Sequence, residues 1–251
     1  MATLPLTAGG LACPCKRMAS AAEFHAFGTK ETFETEAADW IEARLEDALS
    51  RRGKATLFCS GGSTPGPIYE TLSGLNLDWK NVTVGLADER WVSEDHEASN
   101  AALVRRTLLQ NKAEAATFLP MKTADESAFG AEAALNESYG DAASVIDVLV
   151  LGMGEDGHTL SWFANAKGLG AATDPGNLLS VAAISAPKSK VTGPVTERMT
   201  LTYPAVARAR SILLMMSGDK KKTVFDAANP DHPVSKMRKA AGKALTVFYR
   251  S

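Results

Sequence analysis

Five short apolar segments constrain the fold of this chain more than any other feature of its sequence. In the first four both faces are apolar and the segment ends in Gly, Asp or Ser, which is typical of strands buried inside a parallel sheet. The predicted strands are residues 55–59, 82–87, 145–151, 211–216 and, at the end of the chain, 244–248.

Helical patterns precede and separate these strands. Apolar residues recur at helical spacing from Phe33 to Leu49, and Gly53 is placed to end that helix. Segments rich in Ala, Glu and Leu predict further helices over residues 98–110, 124–138 and 218–228. Alternating helices and strands predict an α/β fold, in which helices flank both faces of one largely parallel sheet.

Composition excludes several classes of protein. With 45% hydrophobic residues among 251, the chain can bury a large core, which argues against disorder and against a coiled coil. Its 27 Lys and Arg against 29 Asp and Glu give a net charge of −2, without the basic excess that nucleic-acid binding requires. No apolar run is long enough to span a membrane, so a soluble protein is expected.

The ends of the chain and its cysteines give further expectations. Only three cysteines are present, too few for a disulfide framework at this length, and this favours the cytoplasm. Residues 1–20 are expected to form a flexible tail, because their apolar stretch lacks the basic start of a secretory signal. Residues 21–251 are expected to form a single domain. Residues 164–197 are the one long irregular stretch, which predicts a functional loop.

A glycine-rich turn follows the first strand. Ser60, Gly61, Gly62, Ser63 and Thr64 combine a sharply turning backbone with hydroxyl donors ahead of a helix. Such a turn presents N–H groups to an anion and predicts a phosphate-binding loop. The alternative is an ordinary turn in which Thr64 caps the helix and Pro65 occupies its first position.

Charged residues follow the second strand. Asp88, Glu89 and Arg90 stand directly before Trp91, at the sheet edge where ligands bind in this class of fold. A local ion pair, with Trp91 filling the core, is the alternative interpretation. Asn100 lies at the predicted start of the next helix, where a helix cap is the structural alternative to a ligand contact.

The most informative segment follows the third strand. Three alternate glycines hold Glu155, Asp156 and His158 in a tightly turned loop. Histidine suits proton removal near neutral pH, so His158 is predicted to be catalytic rather than a buried structural histidine. No second His or Cys stands at a metal-ligand interval, and no metal is expected.

Two basic residues complete the candidate site. Arg198 follows the irregular stretch, and Lys221 begins the helix after the fourth strand. Either could neutralise a phosphate, Arg198 through a bidentate contact and Lys221 as a point charge. Simple solvation is the alternative for Lys221.

The ordered set of motifs SGGSTP, DERWV, GMGEDGHT, PVTERMTLT and SGDKK resembles the 6-phosphogluconolactonase family over about residues 31–248. This resemblance implies a Rossmann-like single domain of the lactonase type. It also implies hydrolysis of 6-phospho-D-glucono-1,5-lactone, a step of the oxidative pentose phosphate pathway, without cofactor or metal. The related glucosamine-6-phosphate deaminases carry a glutamate where this chain has Phe163, which disfavours a deaminase. A non-catalytic sugar-phosphate sensor is the other alternative.

The resemblance also suggests roles for the catalytic residues. His158 would act as general base toward a water molecule, and Asp156 or Glu155 would orient it. Arg90, or N–H groups of the glycine loops, would stabilise the oxyanion.

The remaining residues are assigned to substrate binding. The phosphate would be held by the loop from Ser60 to Thr64 together with Arg198 and Lys221. Asp88 would bind sugar hydroxyls or hold Arg90, and Asn100 is placed among the binding residues. A small sugar phosphate is the expected partner, with no nucleic acid or membrane, and the protein is expected to be a monomer or a weak homodimer.

Overall fold

The protein is described here by a computed structural model that covers residues 22–251. The tail expected at residues 1–20 lies outside this range. The described residues form ten strands: β1 (Glu23–Phe27), β2 (Ala55–Cys59), β3 (Val82–Leu86), β4 (Asp88–Arg90), β5 (Thr117–Phe118), β6 (Val148–Gly152), β7 (Val181–Ser185), β8 (Glu197–Leu201), β9 (Ser211–Ser217) and β10 (Leu245–Arg250).

Eight α-helices alternate with these strands in the described part of the chain. They are α1 (Lys30–Arg52), α2 (Gly66–Ser73), α3 (Asn100–Thr107), α4 (Ala128–Gly140), α5 (Leu169–Ala172), α6 (Tyr203–Ala207), α7 (Asp219–Ala227) and α8 (Pro233–Ala241). None of the helices in residues 22–251 is both long and apolar enough to cross a membrane.

The main sheet has seven strands in the order β1-β10-β9-β6-β2-β3-β5, and every neighbouring pair is parallel. The α/β fold expected from the sequence, a largely parallel sheet with helices, is therefore confirmed. Because β9, β6, β2 and β3 are consecutive in the sheet, the loops that follow them meet at one edge. Ligands of such sheets bind at the carboxyl ends of the strands.

The local signals in the sequence account for the helix ends. Thr29 begins α1 by accepting a hydrogen bond from the Thr32 N–H at 3.1 Å. Gly53 ends it with φ of +68°, and its N–H bonds to the Leu49 carbonyl at 2.8 Å. Phe33, Ile41 and other predicted apolar positions of α1 are buried against the sheet.

The prediction of a single irregular stretch over residues 164–197 was wrong. It contains α5 and β7, and β8 begins at its last residue. β7 pairs antiparallel with β8, and β8 pairs antiparallel with β4, in a second sheet of three strands. The β7 sequence, VAAIS, is short and rich in alanine, so only its tertiary pairing makes it a strand.

Candidate active site

A cavity of about 340 Å³ lies at the carboxyl edge of the main sheet. Its walls come from the loops after β2, β3, β6 and β9, with Arg198 arriving from β8. The predicted site residues that line it are Ser60, Gly61, Gly62, Ser63, Thr64, Asp88, Arg90, Asn100, His158, Arg198 and Lys221. Two predicted residues, Glu155 and Asp156, lie outside its lining.

The glycine-rich loop is fastened at its first residue. The Ser60 hydroxyl donates to the Val150 carbonyl on β6 at 2.8 Å. The Tyr69 hydroxyl on α2 lies 3.1 Å from both the N–H and the carbonyl oxygen of Ser60. A Cβ at Gly61 would stand 1.8 Å from the Asn100 Oδ1, so only glycine allows the loop to pass this close to α3.

His158 is held by one of the two neighbouring carboxylates. Its Nδ1 lies 2.5 Å from Asp156 Oδ1, which also accepts the His158 backbone N–H at 3.2 Å. Glu155 instead faces Lys220 at 3.8 Å in an exposed ion pair. Of the two alternatives, the structure therefore places Asp156, and not Glu155, against the histidine. With Nδ1 engaged, Nε2 is the ring nitrogen available for chemistry.

The contact with His158 also affects Asp156. Burial by itself raises the pKa of this carboxyl, but the hydrogen bonds and charge of His158 outweigh it and hold the pKa below its ordinary value. Asp156 consequently remains an anion beside the imidazole.

Steric contacts explain why two positions in the loop that carries His158 are glycine. A Cβ at Gly154 would lie 2.3 Å from the His158 ring and 2.5 Å from Asp156 Oδ1. Gly157 has φ of +77°, and a Cβ there would meet the His232 ring at 2.7 Å. The Gly154 N–H closes the turn on the His158 carbonyl at 2.9 Å. The loop can therefore hold the Asp156–His158 pair only with glycine at both positions.

Phe163 packs directly on the catalytic candidate. Its ring stacks on His158 with centroids 4.3 Å apart and an interplanar angle of 24°. The Arg198 guanidinium lies 5.1 Å from the same ring. Phe163 is 4% exposed and lines the cavity, so one aromatic side chain fixes the imidazole plane from the core side. The sequence suggested Phe163 only as a difference from the deaminases, not as a contact of His158.

Arg90 and Arg198 are brought together by the second sheet, in which they are register partners on β4 and β8. Arg90 Nη1 donates to the Ala98 carbonyl at 2.5 Å, and Arg198 Nη2 makes longer contacts with the Val195 and Thr192 carbonyls at 3.3 and 3.4 Å. Within residues 22–251, the Nε of each arginine is buried and has no hydrogen-bond partner. Both arginines line the cavity, and their guanidinium groups favour an anionic ligand there.

Burial lowers the pKa of Arg198. The nearby Asp88 carboxylate works against this shift, and the positive charge of Arg90 adds to it. Arg198 is buried and Arg90 is half-buried, and the two neighbouring positive charges repel each other, which favours an anionic ligand at this position.

Asp88 is a buried carboxylate tied to two neighbours. The Asn100 amide donates to the Asp88 carbonyl at 2.7 Å and to its Oδ1 at 3.3 Å. The Ser161 hydroxyl donates to Oδ2 at 2.6 Å. Ser161, which is not among the site residues predicted from the sequence, thus fixes the Asp88 carboxylate through Oδ2.

No metal-binding cluster is visible in the described residues: no three or more His, Cys, Asp or Glu side chains converge in residues 22–251.

Comparison with known proteins shows the family of this chain. Residues 28–246 match the family model described as glucosamine-6-phosphate isomerases/6-phosphogluconolactonase. The chain belongs to this family. The 6-phosphogluconolactonase of Pseudomonas aeruginosa is 42% identical over 192 residues, covering 75% of this chain and 77% of the relative. That of Rhizobium meliloti is 35% identical over 233 residues, covering 91% and 98%.

Solved structures of this family have the same fold. The crystal structure of a 6-phosphogluconolactonase from Shewanella baltica superimposes with a TM-score of 0.84 at 34% identity, covering 94% of this chain and all of that one. Within the family fold, the motifs that carried the resemblance surround one cavity: the glycine-rich loop, Arg90, His158, Arg198 and Lys221 all line it.

Proposed function

We propose that the protein is a 6-phosphogluconolactonase, which hydrolyses 6-phospho-D-glucono-1,5-lactone to 6-phospho-D-gluconate in the oxidative pentose phosphate pathway. The relatives named above carry this activity in their names. The observation that carries the proposal in this chain is His158, which is held by Asp156 and lines the same cavity as Arg90 and Arg198.

His158 is assigned as the general base. A lactone is an activated ester, so a water molecule positioned beside the carbonyl carbon needs only proton removal to attack. His158 Nε2 takes that proton as the new C–O bond forms, and Asp156 stabilises the resulting imidazolium. The intermediate collapses with cleavage of the bond to the ring oxygen. That oxygen recovers the proton from His158, which leaves an open-chain hydroxyl and a carboxylic acid.

Charge that develops on the carbonyl oxygen needs donors that are already in place. Arg90 is assigned this role, because its guanidinium lines the cavity and is anchored at one end to the Ala98 carbonyl. A preorganised donor of this kind contributes roughly 3–4 kcal/mol in known acyl-transfer sites. The Phe163 ring stacks on one face of the His158 imidazole and excludes water from that face.

The substrate phosphate is assigned to the positive side of the cavity. Arg198 lines the cavity from β8, and Lys221 lines it from the first turn of α7. Ser63, Thr64 and the N–H groups of the glycine-rich loop supply neutral donors. Asp88 and Asn100 are assigned to the sugar hydroxyls.

The decisive test is a coupled assay. Glucose-6-phosphate dehydrogenase would generate the lactone, and the appearance of 6-phosphogluconate would be followed with and without the protein. The wild-type protein should accelerate it above the spontaneous rate. His158→Asn should lower kcat about a hundredfold or more, since general base catalysis contributes roughly 10²–10⁴. His25→Asn, on the edge strand β1, is the matched control and should retain activity.

If the protein leaves the spontaneous rate unchanged, or if His158→Asn turns over normally, the proposed function or the proposed role of His158 is wrong. We also propose that the enzyme acts in the cytoplasm as a monomer or weak homodimer. Analytical ultracentrifugation would test the oligomeric state.

A further inference from the structure

Glu89 is a buried charged residue that the proposed mechanism does not use. It lies on β4 between the cavity residues Asp88 and Arg90, yet its own side chain has no exposed surface and does not line the cavity. A carboxylate in this position is costly unless both of its oxygens are fully hydrogen-bonded. Its partners therefore indicate what it contributes.

Both oxygens of Glu89 are occupied by donors. Oε1 accepts the backbone N–H of Arg90 and that of Asn100, each at 2.8 Å. Oε2 accepts the Ala101 N–H at 2.7 Å and the Ser99 hydroxyl at 3.2 Å. All four partners are donors, so this position requires an acceptor-only side chain, which an ionised carboxylate is and a carboxamide is not.

Three of those donors belong to the beginning of α3. The first N–H groups of a helix have no partner within the helix, and the helix dipole favours an anion there. Glu89 thereby attaches the start of α3 to β4. Its oxygen Oε1 joins two cavity residues directly, since Arg90 and Asn100 share it.

Asn100 links the start of α3, which Glu89 holds, to other residues of the site. Its amide donates to the carbonyl and to the carboxylate of Asp88, and its Oδ1 lies against Gly61 of the glycine-rich loop. Displacement of the α3 start would therefore move Asn100 away from Asp88 and from the phosphate-binding loop together. A misplacement of about 1 Å can lower a rate roughly a hundredfold.

We propose that Glu89 is a positioning residue for this reaction: its carboxylate sets the places of Arg90 and Asn100, and through Asn100 those of Asp88 and Gly61. Glu89 does not contact the substrate. The inference rests on the proposed lactonase function for its effect on turnover, while its structural part can be measured independently of activity.

The test compares Glu89→Gln with a matched control, Asp147→Asn. Asp147 is also a buried carboxylate that accepts a backbone N–H, that of Thr56 at 3.0 Å, but it precedes β6 at the end of the sheet opposite the cavity. At a temperature where both variants are folded, Glu89→Gln should lower kcat/KM for the lactone about ten- to a hundredfold. Asp147→Asn should stay within about twofold of the wild type while losing stability.

Two further measurements separate positioning from a general loss of stability. In amide hydrogen exchange, Glu89→Gln should remove protection from the segment 88–101, and Asp147→Asn should not. In a double-mutant cycle, Glu89→Gln should reduce kcat much less in an Arg90→Ala background than in the wild type, because residues that act as one unit are not additive. If Glu89→Gln does not fold, Glu89→Asp replaces it. The aspartate keeps the charge but withdraws the oxygens by one methylene, and the same losses are expected.

The inference is overturned if the Glu89 variant keeps the protection of residues 88–101, if it keeps wild-type kcat/KM, or if its effect adds fully to that of Arg90→Ala. A wild-type protein without lactonase activity would instead overturn the proposed function. In that case, unchanged or lost protection at Arg90 and Asn100 would still decide whether Glu89 holds them.

Discussion

At the scale of single residues, the site depends on which side chains touch His158. Asp156 holds its Nδ1, and Phe163 covers one face of its ring. These contacts leave Nε2 free and limit rotation of the imidazole, which is what a general base requires for a fixed proton path. Glu155, one residue earlier, points to Lys220 and contributes nothing to this geometry.

Asp156→Asn tests the orienting role. Because the pKa of Asp156 lies below its ordinary value, this carboxylate stays charged in the wild type until the pH falls through that lowered value. At any higher pH it can stabilise the imidazolium that forms when His158 takes a proton from water, and the amide cannot. We expect kcat in the coupled assay to fall at least about tenfold. A normal kcat would contradict the role.

Lys221→Ala tests the proposed phosphate-binding role of Lys221, and the preceding residue, Lys220, provides the control. Lys221 lines the cavity, whereas Lys220 faces Glu155. Loss of one charge-assisted hydrogen bond should raise KM for the phosphorylated lactone about tenfold and leave hydrolysis of unphosphorylated gluconolactone unchanged. Lys220→Ala should change neither the KM for the phosphorylated lactone nor the hydrolysis of the unphosphorylated one. Equal loss on both lactones would contradict a phosphate role for Lys221.

At the scale of elements, the loop after β6 is tightly constrained by its own side chains and by a neighbouring helix. Its turn brings Asp156 back onto His158, and Gly154 lies against both side chains. His232, at the start of α8, packs on Gly157, and the Val234 N–H bonds to the Gly157 carbonyl at 2.9 Å. A helix distant in sequence therefore supports the loop that carries His158.

Gly154→Ala should separate Asp156 from His158, because the new Cβ would overlap both side chains. We expect kcat to fall about tenfold or more, measured in the coupled assay, with a folded protein by circular dichroism. The control is Gly140→Ala at the end of α4, where a Cβ meets nothing within 4 Å. That change should leave activity intact and raise stability by up to about 1 kcal/mol. A fully active Gly154→Ala protein would show that the loop can accommodate a Cβ at residue 154 and would contradict this prediction.

At the scale of the whole molecule, the order of strands ties the two ends of the described chain together. The last strand, β10, lies between β1 and β9, with parallel pairing on both sides. Its residues Leu245, Val247 and Phe248 are buried in the core. The chain therefore cannot complete its central sheet until its final residues are in place.

Deletion of residues 245–251 should prevent folding, because it leaves β1 without a partner, exposes one edge of β9 and opens the core to water. Circular dichroism and a thermal melt would show loss of a cooperative transition. Deletion of Ser251 alone, which is exposed and outside β10, is the control and should melt like the full chain. A cooperative, active protein without residues 245–251 would mean that the sheet does not need its β10 strand.

The sequence by itself predicted five of the seven strands of the main sheet, all but β1 and β5. It also predicted the glycine-rich turns and a set of cavity residues from Ser60 to Lys221, because these signals are local: apolar runs, glycine spacing and polar residues at strand ends. Tertiary structure decided the rest. The pairing of β4, β8 and β7 brings Arg90 beside Arg198, packing stacks Phe163 on His158, and the start of α3 makes Glu89 the link between Arg90 and Asn100. The pairing of Arg90 with Arg198 joins residues far apart in the chain, and the other contacts depend on how the backbone turns between their partners, so the local sequence pattern does not predict them.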